Sequence, residues 1–434
     1  MKTIAIAGVG YVGLTTAACL AQLGNQVIGF DVDRKKIASL RRGLITFSEP
    51  GLAELVANNV RAGRLAFTAS AREAMQSAEI AFVCVGTPSD AAGRVDFSQV
   101  ESTVAMLARS ANGSFITVLK STVPMGSAER VAAIMADRLP AGAHSPVVAN
   151  PEFLREGSAI RDFFESNRVV VGSWDAGAAE TVAGLYASIG SPVLLTDPST
   201  AQLVKYASNA FLATKVSFIN EIAGIADAVG ANVNVVAEGM GFDERIGPQF
   251  LEAGLGYGGS CLPKDVLALS KSAEDNGKPS ALLSAVMDVN RCRRRVAVDQ
   301  LRTILGGSMR DREVCVLGLS FKAHTDDVRE SPALSIISAL CDEGAMVRAY
   351  DPIAMASAKR IAPPRECLRY CDDAYTASFG SNVVFVATDW PQFRTLDWGR
   401  IRHGMTGKTI LDGRGLLSAE DMDVFGFNYV AIAG

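Results

Sequence analysis

Lys2-Thr3-Ile4-Ala5-Ile6-Ala7-Gly8-Val9-Gly10-Tyr11-Val12-Gly13-Leu14 opens the chain, and the reading of these residues decides the fold. Residues 2–7 read as a short buried strand, 8–13 as a turn, and 14–23 as a helix stopped by Gly24. Residues 27–30 form the next strand, which ends at Asp31. Strand, G-x-G-x-x-G, helix, strand and acid at this distance make a dinucleotide-binding unit. The glycines Gly8, Gly10 and Gly13 let a pyrophosphate approach the helix N-terminus, where unpaired N–H groups favour negative charge. Asp31 would accept from both ribose hydroxyls and repel a 2'-phosphate, which favours NAD over NADP. The plainer alternative is a turn that the glycines merely tighten.

Outward from this unit, strands are expected at 80–85, 115–119 and 146–149, each running into a polar loop. In an open parallel sheet such loops lie at the carboxyl ends of the strands, the edge on which ligands bind. They carry Thr87, then Lys120-Ser121-Thr122-Val123-Pro124, then Asn150-Pro151-Glu152-Phe153-Leu154-Arg155-Glu156-Gly157. Thr87 and Thr122 either line a site or cap helices, and Glu152 and Glu156 are either acid/base groups or ordinary helix-start acids.

Residues 198–229 are helical in pattern and long enough to be a central spine, and a spine is a natural subunit contact. Lys205 and Asn209, four apart, share one of its faces. The following stretch, to about 295, is mostly helical around Gly256-Tyr257-Gly258-Gly259-Ser260-Cys261-Leu262-Pro263-Lys264-Asp265. Its glycines clear side chains from one thiol, and Pro263 suits the first turn of a helix. A thiol at such a helix start, three residues from a lysine, ionises more easily. The bland alternative is a small buried apolar residue. Beyond 311 the opening pattern returns: strand 313–317, turn from Gly318, helix 332–343, strand 347–350 and Asp351, with later strands at 382–388 and 409–412. The second and third glycines are missing, so this unit should bind something other than NAD. Asp412-Gly413-Arg414-Gly415 presents an arginine at a strand end.

The 434 residues suggest more than one domain, and 49% hydrophobic with 20% charged residues is the balance of a packed protein. A net charge of -4 gives no electrostatic case for nucleic acid or an anionic membrane. The apolar start imitates a secretory signal, but removing it would destroy the first βαβ unit. Eight scattered cysteines without a C-x-x-C pair, and three histidines, argue against disulfides and a metal site; a reducing cytoplasm fits.

Taken together, Gly8 to Gly13 with Tyr11-Val12, Ser121-Thr122-Val123-Pro124, the loop 150–157, Arg245-Ile246-Gly247-Pro248, the cysteine decapeptide, and Phe321-Lys322 followed by Thr325 to Ser331 resemble the UDP-glucose 6-dehydrogenases in order and spacing. The resemblance covers nearly the whole chain. It implies an α/β protein of two Rossmann-like doubly wound domains joined by a long central helix and a helical dimerisation region. The implied parts are an NAD domain (1–197), a central domain with the cysteine loop (198–300) and a UDP-sugar domain (301–434). The implied reaction is oxidation of the C6 alcohol of UDP-glucose to the carboxylate of UDP-glucuronate, a precursor for polysaccharides, with two NAD consumed per sugar.

The resemblance also implies roles. Cys261 corresponds to the nucleophile that captures the C6 aldehyde as a thiohemiacetal, which a second oxidation turns into a thioester. Lys205 and Asn209 correspond to the oxyanion-stabilising pair, and Glu156, with Thr122 and Asp265, to the group that orients and deprotonates the hydrolytic water. Glu152 is the other acid/base candidate of that loop. For NAD the implied contacts are Gly8, Gly10, Tyr11, Val12, Gly13, Asp31, Lys36, Thr87, Thr122, Glu156, Lys264 and Arg329. For the sugar nucleotide they are Phe153, Leu154, Glu156, Lys205, Asn209, Phe250, Leu251, Gly254, Gly258, Phe321, Lys322 and Arg414, with Arg245 lent by a neighbouring subunit of a homodimer or higher oligomer. His324 departs from the family pattern, which more often has a small or amide residue there. GDP-mannose 6-dehydrogenase is the nearest alternative. A non-catalytic nucleotide-sugar sensor would have no need of Cys261, Lys205, Asn209 and Glu156 together.

Overall fold

The computed structural model describes residues 1–90 and 93–432. It divides into two compact units, Met1–Ser208 and Asn209–Gly434, and the boundary falls inside one long helix, Pro198–Val229.

In the first unit eight strands form one sheet: β1 (Thr3–Ala7), β2 (Gln26–Phe30), β3 (Leu65–Thr68), β4 (Ile80–Val83), β5 (Ile116–Leu119), β6 (Val147–Ala149), β7 (Val169–Ser173) and β8 (Val193–Thr196). Their spatial order is β3-β2-β1-β4-β5-β6-β7-β8, parallel except where β6 meets β7. The chain reverses direction across the sheet between β1 and β4, and ligands bind at such a switch point, outside the carboxyl ends of the strands. Alternate residues supply two cores, one per face. Ile4, Ile6 and Phe82 enter one, and Ala5, Ala7, Ala81 and Val83 the other. With both faces covered, the strands read as unbroken apolar runs.

The first helix spans Tyr11–Gln22, three residues earlier than the pattern suggests. Gly13 therefore lies inside the helix, where a Cβ would stand 1.8 Å from the carbonyl oxygen of Gly8. Close packing of helix on turn, and not chain reversal, makes glycine obligatory there. Strands β3, β7 and β8 were not anticipated from the pattern; β8 leaves Val193, Leu194 and Leu195 exposed, so it lacks the alternation that marks a half-buried strand.

The second unit holds a six-stranded parallel sheet, β9 (Glu313–Leu317), β10 (Met346–Tyr350), β11 (Leu368–Tyr370), β12 (Val383–Val386), β13 (Thr409–Asp412) and β14 (Asn428–Ala431), ordered β11-β10-β9-β12-β13-β14. This repeats the order of the first six strands of the first unit. Helices Val233–Gly241, Leu262–Asp275 and Ala281–Ile304 precede it. The fold is α/β, two Rossmann-like doubly wound domains joined by the long helix.

Candidate active site

In the first unit, Gly8 has φ +89°, and a Cβ there would meet the Cys84 carbonyl oxygen at 2.9 Å. Gly10 occupies the N-cap of the helix Tyr11–Gln22, no side chain caps it, and nothing lies within 4 Å of where its Cβ would point. The helix N-terminus thus faces open space lined by backbone, a cradle that fits a pyrophosphate. Val12 lies in the first turn of this helix. Asp31 is 8% exposed; its Oδ2 accepts from the Val9 N–H (3.1 Å) and pairs with Lys36 Nζ (2.8 Å), and its Oδ1 accepts from the Asp33 N–H (2.9 Å). A carboxylate has about four lone-pair sites, so capacity remains for a ribose hydroxyl. Thr87 is no helix cap: its hydroxyl donates to the Thr122 carbonyl at 3.0 Å, tying together the loops after β4 and β5.

The loop 150–157 is irregular backbone, and the next helix starts only at Ala159, so Glu152 and Glu156 are not first-turn acids. Glu152 is buried, accepts from the Leu154 N–H (2.6 Å) and pairs with the buried Lys205 (3.4 Å). The Phe153 ring lies under the Arg168 guanidinium (3.8 Å to the centroid), with Lys205 Nζ at 5.4 Å. Leu154 packs on the core of the unit. Glu156 is half-buried, and its charge reaches Tyr11.

Two further residues of this unit matter, Glu49, which the sequence does not flag, and Lys120, which it places in the loop after β5 without a role. Glu49 is 8% exposed and accepts from the Tyr11 hydroxyl, the Gly157 N–H (2.7 Å) and the Ala159 N–H (2.8 Å). It fastens the end of the loop 150–157 to the dinucleotide turn. Burial, then the Glu49 bond and charge, push the Tyr11 phenol far above its ordinary value. Lys120 is buried and donates to Asn150 Oδ1 (3.0 Å) and the Tyr186 hydroxyl (3.3 Å). Burial lowers it to about 8, with Glu152 opposing the shift. Nothing local flags Glu49, whose partners stand 38 to 110 positions away.

In the second unit Cys261 is the N-cap of the helix Leu262–Asp275, with Pro263 in the first turn, so the expected thiol at a helix start is present. It is half-buried, with the Ser260 hydroxyl 3.6 Å from its sulfur. One turn on, Asp265 is 1% exposed; Oδ2 accepts from Asn209 Nδ2 (2.6 Å) and Oδ1 pairs with Lys264 Nζ (2.6 Å). The glycines let the loop pack closely on neighbouring segments. A Cβ on Gly259 would meet the Phe321 ring at 2.8 Å, and one on Gly258 the Glu330 carbonyl oxygen at 2.4 Å. The Gly259 N–H donates to the Arg329 carbonyl (3.0 Å), so the segment around Phe321 and Arg329 flanks the thiol loop.

Phe250 sits at φ +65° and Glu330 at φ +50°, a left-handed conformation that costs a side-chain-bearing residue about 1–3 kcal/mol and concentrates at functional sites. Leu251 is buried; Gly254 donates to Asn220 Oδ1 (2.8 Å) and accepts from Arg293 Nε (3.0 Å). Asn290 binds both the N–H (2.8 Å) and the carbonyl (3.0 Å) of Tyr257. Asn220, Asn290 and Arg293 were missed; Asn290 and Arg293, three apart on one buried helix face, are the signal that was available. Arg414 donates to the carbonyls of Phe321 (3.0 Å) and Ala387 (3.0 Å), and Lys322 Nζ lies 5.6 Å from the Phe321 ring centroid. His324 has φ +65° and packs edge-on to Trp390. Arg329 pairs with Asp327. Arg245, with a side chain 89% exposed and paired with Asp243, stands on the surface.

The first unit thus gathers Glu152, Phe153 and Lys205, and separately Tyr11 with Glu156; the second gathers Cys261, Asn209, Lys264, Asp265 and Phe321. A dinucleotide cradle at the strand ends of the first doubly wound domain defines the class, the nicotinamide-dependent oxidoreductases. Residues 2–190 match the model of the UDP-glucose/GDP-mannose dehydrogenase family, NAD binding domain; 199–292 match its central domain and 315–419 its UDP binding domain. The chain is 43% identical to the UDP-glucose 6-dehydrogenase TuaD of Bacillus subtilis over 433 residues, covering 100% of this chain and 93% of that one. Against the UDP-glucose 6-dehydrogenase of Rhizobium meliloti the identity is 42%, over 99% of each chain. The solved structure of a UDP-glucose dehydrogenase from the archaeon Pyrobaculum islandicum superposes with a TM-score of 0.92 at 38% identity, covering 100% of this chain and 98% of that one. This chain belongs to the UDP-glucose/GDP-mannose dehydrogenase family, and NAD is its cofactor.

Proposed function

We propose that this chain is an NAD-dependent dehydrogenase that oxidises the C6 alcohol of UDP-glucose to the carboxylate in two two-electron steps, and that Cys261 carries the half-oxidised sugar. The observation that supports the covalent route is a half-buried thiol at a helix N-cap, with Asp265 and Asn209 bonded one turn further on. NAD, held by the turn 8–13 and Asp31, supplies the hydride acceptor. The side chains do the rest. Lys205 and Asn209 steady the developing oxyanion, and Glu152, paired with Lys205, accepts the alcohol proton. The Cys261 thiolate adds to the aldehyde carbon, forming C–S as the carbonyl becomes an alkoxide, and the hydrogen the aldehyde still carries can then leave as a second hydride. Loss of that hydride leaves a thioester. Glu156, with Thr122 and Asp265, directs water onto it, releasing the acid and the thiolate. Phe153, Leu154, Phe250, Leu251, Gly254, Gly258, Phe321, Lys322 and Arg414 hold the sugar nucleotide; Thr87, Lys264 and Arg329 complete the dinucleotide contacts.

We further infer three parts, 1–197 for NAD, 198–300 for subunit contact and the thiol loop, and 301–434 for the UDP-sugar. Phe211 (64% exposed), Phe218 (47%) and Ile225 (53%) recur every seven residues on the long helix, the spacing of a helix–helix seam. A homodimer built on that seam buries them, and the exposed Arg245 is then available to a neighbouring site. Among the described residues every cysteine is free and no helix is long and apolar enough to cross a membrane, in keeping with work in a reducing cytoplasm.

The test is stoichiometry: limiting UDP-glucose should yield two NADH per sugar, with GDP-mannose run beside it as the competing substrate. Cys261→Ser should bind NAD normally yet make no net acid. Full steady-state turnover by Cys261→Ser would refute the covalent step.

A further inference from the structure

Beyond the carboxyl ends of β5 and β6 lies a cavity of about 10 Å³, lined by Leu119, Thr122, Pro151, Gln202 and Lys205 among others. Gln202 is 4% exposed, and neither its Oε1 nor its Nε2 has a hydrogen-bond partner among the described residues. Its carboxamide offers two donors and two acceptor sites. Leaving a buried polar group unsatisfied is costly, and folded proteins seldom tolerate it without a bound partner. A leucine on this helix would bury as well and carry no such penalty.

We propose that Gln202 is a further positioning residue of the site, holding one ordered water molecule against Thr122 and Lys205. The cavity volume matches a single water, and a buried water needs two to four polar neighbours. Gln202 and Lys205 are three apart on one helix, so they present neighbouring groups to the same space, and Thr122 lines it from the loop after β5. A sugar or a nicotinamide ring needs far more room than this. The water bridges the carboxamide to the Lys205 ammonium and so restricts the directions in which that ammonium can point. Lys205 is also paired with Glu152 at 3.4 Å and lies 5.4 Å from the Phe153 ring centroid, so the water adds to contacts it already makes. The catalytic consequence rests on the reading of Lys205 and Thr122 given above; the presence of the water does not.

The test combines a crystal structure of the full chain, at a resolution that shows waters, with kinetics of Gln202→Leu and Gln202→Glu. Wild type should show one water within hydrogen-bond distance of Gln202 and of Thr122 or Lys205. In Gln202→Leu that water should be gone, with kcat down about tenfold and KM for both substrates unchanged. Gln202→Glu should keep the water and most of the rate. An empty wild-type cavity overturns the proposal, and so does a Gln202→Leu enzyme that has lost the water but keeps wild-type kcat. Should Gln202→Leu not fold, the wild-type density and the Gln202→Glu rate decide. If wild type does not oxidise UDP-glucose at all, the functional reading fails while the water is still judged from the density.

Discussion

The turn after β1 and the turn after β9 start alike and end differently. Gly8 (φ +89°) and Gly318 (φ +97°) occupy the same place, each donating its N–H at 2.8 Å to the last residue of the neighbouring strand, Phe30 or Tyr350. Each neighbouring strand is followed by an aspartate that accepts from the backbone of the turn. After Gly8 the helix begins three residues on, at Tyr11; after Gly318 it begins fourteen residues on, at Pro332. Asp31 accepts from three donors and is 8% exposed. Asp351 is 1% exposed and accepts from the N–H groups of Leu319, Ser320, Ile353 and Ala354, the Ser320 hydroxyl and the Trp390 indole. Asp351 is saturated. The same scaffold therefore serves twice: an uncapped helix end and an unsaturated acid receive a dinucleotide, whereas an inserted loop with a locked acid presents Phe321 and Lys322 instead.

Substitutions at the two turns should separate their roles. The largest effect should come from Gly13→Ala, whose methyl would overlap the Gly8 carbonyl at 1.8 Å. A destabilisation of about 4 kcal/mol or more, read by chemical denaturation, is expected, because backbone lies on both sides of the clash. Next, Asp351→Asn should cost about 3 kcal/mol, since an amide cannot accept from six donors, while NAD affinity stays unchanged. Asp31→Asn should do the reverse: roughly tenfold weaker NAD binding by calorimetry with little loss of stability. If the two aspartates exchanged these phenotypes, the distinction between binding acid and locking acid would be wrong.

A smaller effect sharpens the picture on the first unit's side. Lys120 titrates near 10.5 when unfolded and about 8 when folded, so unfolding takes up a proton between those values. Wild-type stability therefore gains from this group as pH rises through the window, and below it the buried charge is a cost. Lys120→Met should unfold with a stability advantage over wild type that shrinks by roughly 2 kcal/mol between pH 7.5 and 10. A constant difference across that range would show that Lys120 is not desolvated.

The parts legible beforehand were those written in neighbouring residues. Asp31 with the turn, the thiol at a helix start, and Lys205 and Asn209 on one helix all follow from local spacing. Short edge strands such as β8 were not legible, because exposed valine and leucine there break the alternation that marks a strand. Nor were Glu49 and Gln202, each an ordinary polar residue until a distant segment is packed against it.

The chain by itself determined the α/β class, the dinucleotide turn, the returning second unit and the thiol loop, because glycine, proline and apolar period act within a few residues of where they stand. Only the tertiary structure decided that Asp351 is locked while Asp31 keeps capacity, that Glu49 fastens the loop 150–157 to Tyr11, and that Gln202 faces a cavity with no partner. Those are outcomes of burial and of hydrogen bonds made across tens of residues, and desolvation has no value until the fold has chosen which groups leave water.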